Sequence, residues 1–424
     1  MIHFEDKTIR EAMYAGTFGL EREALRVLPD GTFAKTPHPF PATGQIVRDF
    51  CENQTEINTA SHDSIAGVLE ELGELDRQLK DKLNALPEPE LLWPFSNPPY
   101  IRDESDIPIA QFEGELREKT EYRNYLSTKY GRYKMTFSGI HFNFSFHESL
   151  LQREYELRGG DTTGMDYYRF KDRFYLDLAQ ALMEYGWLLV ALTAASPLLD
   201  ASFLDKGRTG ETVFSGMASC RCSEWGYWND FVPVLSYEDL GAYSASIQKY
   251  IDKGLLVAPS ELYYPVRLKS KGANDLNALA ERGVSHIEFR MLDLNPLAPL
   301  CIEEKDLLFA HLLMLWAVAG DVPQFTECDQ HRVVSNLKRA AHYDLSTVIF
   351  RSCDGDGVSM ERAGRDVLEQ MIDFFRDAPE MYREALAFEY EKLTDPAKRY
   401  AAIIKERFGA DYVRSGLRLA EERR

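Results

Sequence analysis

The chain is short of cysteine, short of positive charge and without a long apolar run. Six cysteines are spread over 424 residues with no CxxC pair and no regular spacing. Neither a zinc site nor a disulfide framework is expected, and reduced thiols of a cytoplasmic protein fit best. Cys220 and Cys222, on either side of Arg221, read as small packing residues. Lys and Arg number 49 against 68 Asp and Glu, a formal net charge of −19. A field of that sign repels phosphate backbones, so nucleic acid is not expected as a partner. The apolar runs at 187–199 and 307–319 are too short to cross a bilayer and read as buried helices. The N-terminus, MIHFEDKTIREA, has no apolar targeting core, and no membrane partner is expected. There is no GxxxxGK[ST], no GxGxxG after a strand and no HExxH. A nucleotide, if bound, must then lie on a sheet and not in a glycine loop. DGDG at 354–357 lacks the ligand spacing of a calcium loop and reads as a turn.

What the chain does have is a set of strands with one apolar and one chemically equipped face. Side chains alternate along a strand. In SHIEFRMLDLNP at 285–296, Ile287, Phe289 and Met291 are expected to face a core, with His286, Glu288 and Arg290 opposite. In FSGIHFNFSF at 137–146, Phe142, Phe144 and Phe146 share one side, and His141, Asn143 and Ser145 the other. In FGLEREALRV at 18–27, Glu21 and Glu23 share a face, Leu20 and Arg22 the other, and PDG at 29–31 marks a turn. In VRDFCENQTEINT at 47–59, Asp49 and Glu56 are an odd number of residues apart, so a bulge is expected to bring them to one face.

With 45% hydrophobic residues, the chain can build a large core, either as one α+β domain or as two or three domains. Residues 64–86 carry Ile65, Val68, Leu69, Leu72, Leu75, Leu79 and Leu83 at helical spacing, their acidic and basic residues forming a solvated face. Residues 93–100, WPFSNPPY, form a rigid loop. Residues 118–133 read as a helix or a lid, residues 165–195 as a long helix ending at Ser196-Pro197. ELYYPVR at 261–267 precedes a Lys/Gly/Asn loop. From 303 onward the pattern is helical, with turns near 321–323, 354–357 and 395–396 and no converging constellation. The domain division expected is a catalytic region, 1–325, with a helical region, 326–424, packed on it.

If these strands share one sheet, Glu21, Glu23, Asp49, Glu56, His141 and Glu288 line one concave face. Two like charges about 4 Å apart repel by roughly 4 kcal/mol at an effective dielectric near 20. Either their pKa values rise or divalent cations sit among them. Oxygen-rich ligation with one imidazole suits Mg2+ or Mn2+, and magnesium brings substrate phosphates with it. Arg221, Arg267 and Arg290 then read as anion clamps.

GLERE at 19–23, Asp49-Phe50 with Glu56, Trp93-Pro94, SGIHFNFS at 138–145, Ser196-Pro197, ELYYPVR at 261–267 and HIEFRMLDLNP at 286–296 together resemble glutamate–cysteine ligase. The likeness is to the bacterial type and to the ligase part of bifunctional glutathione-synthesising enzymes, from about residue 16 to about 320. It implies a fold similar to glutamine synthetase: α+β, a curved, mostly antiparallel sheet forming a funnel with outer helices. It implies ATP-dependent joining of the γ-carboxylate of glutamate to the amine of cysteine through γ-glutamyl phosphate. Glu21, Glu23, Asp49, Glu56, His141 and Glu288 would hold magnesium, Arg290 would stabilise the transferring phosphoryl group, and Arg221 would clamp a carboxylate or the acyl phosphate. Tyr122, Tyr227 and Tyr263 match the tyrosines around the cysteine pocket. No ATP-grasp extension is present, so the first ligation step alone is expected, with the oligomeric state open and a monomer favoured. Trp225 and Trp228 depart from the pattern near the amine pocket. Two other readings remain: a γ-glutamyl ligase using a different amine, and a non-catalytic nucleotide or amino-acid sensor.

Overall fold

The computed structural model describes residues 2–272 and 275–424; Asn274 of the loop expected after Arg267 lies outside the described residues. The strands are β1 (Gly16–Val27), β2 (Ile46–Arg48), β3 (Gln54–Asn58), β4 (Leu91–Leu92), β5 (Gly139–Phe146), β6 (Leu198–Asp200), β7 (Thr212–Phe214), β8 (Val266–Lys269), β9 (His286–Asp293), β10 (Val348–Phe350) and β11 (Gly357–Ser359). The helices are α1 (Lys7–Ala12), α2 (Ile65–Asn84), α3 (Arg117–Tyr130), α4 (Glu148–Leu157), α5 (Tyr167–Thr193), α6 (Leu240–Asp252) and α7 (Leu276–Arg282), then α8 (Glu304–Ala317), α9 (Glu327–Ala340), α10 (Met360–Phe374), α11 (Glu380–Thr394), α12 (Tyr400–Phe408) and α13 (Tyr412–Glu422). One open sheet runs in the order β2-β3-β1-β5-β9-β8, with β4 paired to β1, and its pairings are antiparallel. The expected α+β class and antiparallel sheet are both present. No helix among the described residues is long and apolar enough to cross a membrane.

Alternation places Phe18 and Leu20 of β1, Phe142 and Phe144 of β5, and Ile287 and Phe289 of β9 in one buried layer. Each such side chain contributes roughly 1.5–3 kcal/mol on leaving water. Helices α5 and α8 cover the layer. On α5, a Cβ at Gly186 would lie 3.3 Å from the Phe289 ring, so glycine lets helix and sheet approach. On α8, the His311 ring lies 5.0 Å from Phe18 and 4.8 Å from Phe144.

Helix α2 buries Ile65, Val68, Leu72, Leu75, Leu79 and Leu83 of the expected stripe, with Leu69 half-buried at its edge. Its polar face is not wholly solvated, however. Asp76 is buried and pairs with buried Arg22 of β1. The core-side face of β1 carries a guanidinium, which out of water needs a carboxylate partner.

Two expectations for the C-terminal third need correction. Its pattern is not purely helical and does contain a converging constellation. β10 and β11 form a hairpin, and fully buried Lys392 on α11 donates to Asp306 (3.1 Å), Glu389 (3.0 Å) and the Leu192 carbonyl (3.0 Å). The cysteines are not all reduced: Cys328 and Cys353 are disulfide-bonded, with Cα atoms 6.2 Å apart. Asn336 of α9 donates to the Phe350 carbonyl and accepts from the Phe350 N–H, which folds the hairpin back on that helix and brings the two cysteines together. Cys51, Cys220, Cys222 and Cys301 are free and buried.

Candidate active site

The polar face of the sheet lies opposite the phenylalanine layer, and strand register decides which of its side chains meet. Glu21 of β1 is directly across from His141 of β5, and Glu23 across from Glu56 of β3. Asn143 of β5 faces Glu288 of β9, which in turn faces Arg267 of β8. Every acidic, basic, imidazole and tyrosine residue singled out from the sequence as a site residue lines one cavity of about 390 Å3.

Asp49 and Glu56 reach it together for a reason other than a bulge. The chain reverses between β2 and β3, with Val47 paired to Glu56 and the Asp49 N–H donating to the Gln54 carbonyl. The two carboxylates therefore sit on adjacent strands of a hairpin and share a face by pairing. The bulge lies elsewhere. Opposite His141, β9 carries both Arg290 and Met291, because Ile140 pairs with Leu292 while Phe142 pairs with Phe289. The extra residue shifts the alternation. Leu292 instead of Met291 follows Phe289 into the core, and Met291 lines the cavity beside Arg290. His286, expected beside Glu288, pairs with Lys269 and hydrogen-bonds Ser285; it is not among the cavity-lining residues.

At the floor, His141 Nδ1 lies 2.9 Å from Glu21 Oε2 and 3.6 Å from Glu288 Oε1, while Nε2 lies 3.9 Å from Glu23 Oε1. Asn143 Nδ2 donates to Glu21 Oε1 at 3.1 Å. Burial favours protonation of Glu288, but Arg290, Lys269 and His141 outweigh it and hold that carboxyl well below the usual range. Glu21 is also held low: burial and the charge of Glu288 oppose ionisation, and the hydrogen bond and charge of His141 prevail. Glu56 is pushed well above the usual range by burial, then by Asp49, Glu21 and Glu23. Burial raises Glu23 as well.

Part of this set has the spacing of a divalent-cation site. Glu21, His141 and Glu288 each offer a ligand atom, all within 4.8 Å of one another. Among the described residues, Glu288 Oε2 and Asn143 Oδ1 are buried acceptors without a hydrogen bond; the Lys269 ammonium lies 3.3 Å from Glu288 Oε2, and an unmet acceptor costs free energy unless a donor or cation reaches it. Glu23, Asp49 and Glu56 line the same cavity but do not join that group of three.

Three arginines approach from the far side, Arg290 on β9, Arg267 on β8 and Arg221 on the turn segment between β7 and α6. Arg290 Nη1 donates to Glu288 Oε1 at 3.0 Å. Arg221 donates to the carbonyls of Arg290 (2.9 Å) and Leu292 (3.3 Å), bracketing the bulge. Arg267 donates to the carbonyls of Ser260 and Leu262, securing the turn before Tyr263, and burial lowers its pKa to about 10. The segment carrying Arg221 is itself pinned. Buried Asp293 accepts from Ser196 Oγ (2.8 Å) and Ser219 Oγ (3.0 Å), and the Ala341 carbonyl at the end of α9 accepts from the N–H groups of Ala218 and Ser219.

Helix α3 closes the opposite wall. Arg123 Nε donates to the Asp49 carbonyl at 2.6 Å, and Tyr130 donates to Glu261 at 2.9 Å. Tyr122 stands on this helix, while Tyr227 and Tyr263 have rings 5.4 Å apart. Burial pushes Tyr122 up to about 12 and raises the other two well above the usual tyrosine range, so all three hydroxyls stay protonated near neutral pH. Reading the sequence missed Lys119 and Arg123 of α3, Met135 and, on β8, Lys269 among the cavity-lining residues. Lys269 had a usable signal, since it lies two residues after Arg267 and shares its face; the others are placed by helix packing alone.

The family profile described as glutamate-cysteine ligase matches residues 1–254 and 231–340. The bifunctional glutathione biosynthesis protein GshAB of Listeria welshimeri is 35% identical over 417 residues, 95% of this chain and 53% of the relative, so the chain spans about half the length of such relatives. The glutamate–cysteine ligase of Alcanivorax borkumensis is 32% identical over 440 residues, 92% of this chain and 82% of the relative. Among solved structures, the Francisella tularensis glutamate–cysteine ligase in complex with AMP superposes with a TM-score of 0.84 at 24% identity, covering 96% of this chain and 88% of that one. The bifunctional glutathione synthetase of Pasteurella multocida gives 0.84 at 26%, covering 99% and 53%. With a profile match over most of its length and a relative at 32% identity of which it covers four-fifths, the chain belongs to the glutamate–cysteine ligase family.

Proposed function

We propose that the protein joins the γ-carboxylate of glutamate to the amine of cysteine with ATP, through γ-glutamyl phosphate, in the first step of glutathione synthesis. The observation that supports this most is the gathering of Glu21, Glu23, Asp49, Glu56, Glu288 and His141 with Arg221, Arg267 and Arg290 around one cavity. Such a set of acceptors has little use for a neutral substrate and suits a polyanion delivered with divalent cations. Glu21, His141 and Glu288 would hold Mg2+ or Mn2+, with the oxygens of Glu23, Asp49 and Glu56 alongside. Bound there, the metal would neutralise phosphate oxygens and make the phosphorus a better electrophile.

The side chains divide the remaining work. Arg290, oriented by Glu288, stabilises charge on the phosphoryl group as it passes to glutamate, a role worth roughly 10³–10⁵ in rate for such an arginine. Arg221 holds the bulge that aims Arg290, and its guanidinium lines the cavity where a substrate carboxylate would meet it. Arg267 steadies the segment bearing Tyr263. Tyr122, Tyr227 and Tyr263 wall the amine pocket with protonated hydroxyls, and among the described residues the buried Tyr263 hydroxyl has no hydrogen-bond partner. The helix α3 wall excludes water that would otherwise hydrolyse the acyl phosphate. The same reading makes residues 1–325 the catalytic region, with 326–424 as a helical region packed on it, in a cytoplasmic monomer.

The test is mass spectrometry of the products formed from ATP, Mg2+, glutamate and a mixture of amino acids and amines. γ-Glutamylcysteine with stoichiometric ADP is expected. A different dominant amide would move the protein to another amine, and ATP binding without turnover would make it a sensor.

A further inference from the structure

The cations around the cavity differ in how fully the protein occupies them. Arg221 and Arg267 direct their terminal donors to main-chain carbonyls, Arg290 donates to Glu288, and Arg123 donates to the carbonyls of Asp49 and Lys119. Lys119, also at the cavity, lies over the Phe112 ring at 5.5 Å from its centroid. Lys269 differs from all of these in facing a buried carboxylate oxygen that has no hydrogen bond among the described residues. Its side chain is 18% exposed and its Nζ lies 3.3 Å from Glu288 Oε2, yet among the described residues it makes no side-chain hydrogen bond. The oxygen it approaches also lacks one. Glu288 is already served by Arg290 at 3.0 Å and His141 at 3.6 Å. An ammonium therefore stands 3.3 Å from a buried oxygen of a candidate metal ligand that has no hydrogen bond, and it lies on the same strand face as Arg267. Two cations cannot share that oxygen cheaply. A lysine ammonium is a compact point charge with three rotatable donors, well suited to phosphate oxygens.

We propose that Lys269 is a phosphate-binding residue, whose Nζ exchanges Glu288 for a phosphate oxygen of the bound nucleotide and thereby leaves Glu288 Oε2 to a divalent cation. This rests on the ligase reading above and assigns a role to a residue that reading does not use. It makes two predictions of opposite sign for one substitution. In Lys269→Met, Mn2+ measured alone by electron paramagnetic resonance binds about tenfold tighter or more, because a competing positive charge is gone. In the same variant, ATP measured by calorimetry binds about tenfold to a hundredfold more weakly, the loss of one charge-assisted hydrogen bond. Adenosine, which lacks phosphate, binds as it does to the unmodified chain. Lys269→Arg keeps the charge and recovers most of the ATP affinity.

A structural lysine would move all three ligands together, and that result overturns the assignment. So does unchanged ATP affinity in Lys269→Met. Lys269→Gln, read against the same three ligands, decides the matter should the methionine variant lose its fold. Absence of ATP binding by the unmodified chain would overturn the ligase reading itself, whereas ATP binding that survives removal of the ammonium overturns this assignment alone.

Discussion

The guanidinium of Arg221 occupies the space where a side chain at position 139 would have to be: a Cβ on Gly139 would lie 2.1 Å from Arg221 Cζ and 2.2 Å from Nη2. Gly139 opens β5, and its N–H donates to Glu23 Oε2 at 2.8 Å. One missing methyl thus lets the arginine reach the carbonyls that bracket the β9 bulge while the neighbouring amide holds a candidate metal carboxylate. Gly139→Ala must displace Arg221. A shift of about 1 Å at a reacting centre can cost ~100-fold in rate. The expected outcome is a loss of that order in kcat/KM for ligation with only a modest fall in Tm, measured by ADP release and thermal unfolding.

Arg290→Lys keeps a positive charge but loses the planar fork that donates to Glu288 at 3.0 Å. Ligation should fall by roughly 10³-fold or more, in keeping with the role of a transition-state arginine. Mn2+ binding should survive, because Glu21, His141 and Glu288 all remain. Steady-state rates alongside metal titration check both halves, and near-normal turnover would remove Arg290 from the chemistry.

Acid stability has an identifiable contributor far from the cavity. Burial of His311 between the sheet and α8 drives its pKa from 6.5 down to about 3. The unfolded imidazole takes up a proton as pH falls through 6.5, while the folded one refuses it until about pH 3. The stabilisation is therefore complete above pH 6.5 and is lost as the pH falls toward 3, with a slope approaching about 1.4 kcal/mol per pH unit. His311→Phe should flatten the stability profile between about pH 6 and 4, whatever it does to stability at neutral pH through loss of the 2.9 Å hydrogen bond to Tyr382. Urea unfolding at several pH values measures the slope.

The Cys328–Cys353 disulfide closes a segment of 25 residues. Constraint of the unfolded chain by a loop of that size is worth about 3 kcal/mol. Both cysteines are exposed, whereas the four free thiols are buried. Reductant should therefore lower the urea midpoint of the parent protein but leave Cys328→Ser, already lowered, unchanged. Equal midpoints for parent and variant would show that the bond carries no stability.

Much of the site was legible because each contributing strand advertises its two faces. Phe142 and Phe144 against His141 and Asn143, or Ile287 and Phe289 against Glu288 and Arg290, can be sorted from period alone. The exceptions mark where period stops being informative. Nothing local distinguishes a bulge from a hairpin return at Asp49–Glu56, and the two place the carboxylates on one or on two strands. Nothing local shows that β9 slips by one residue at Arg290–Met291, since the slip is defined only against His141 across the sheet. Asp76 has the spacing of a solvated helix face, and only Arg22 arriving from β1 makes it buried.

The sequence by itself determined which side chains travel together, because alternation along a strand and recurrence along a helix follow from backbone geometry within a few residues. The tertiary structure alone decided which of those sets meet, where the register slips and which cysteines close on each other. Those outcomes are free-energy balances between segments far apart in the chain, and no short stretch carries them.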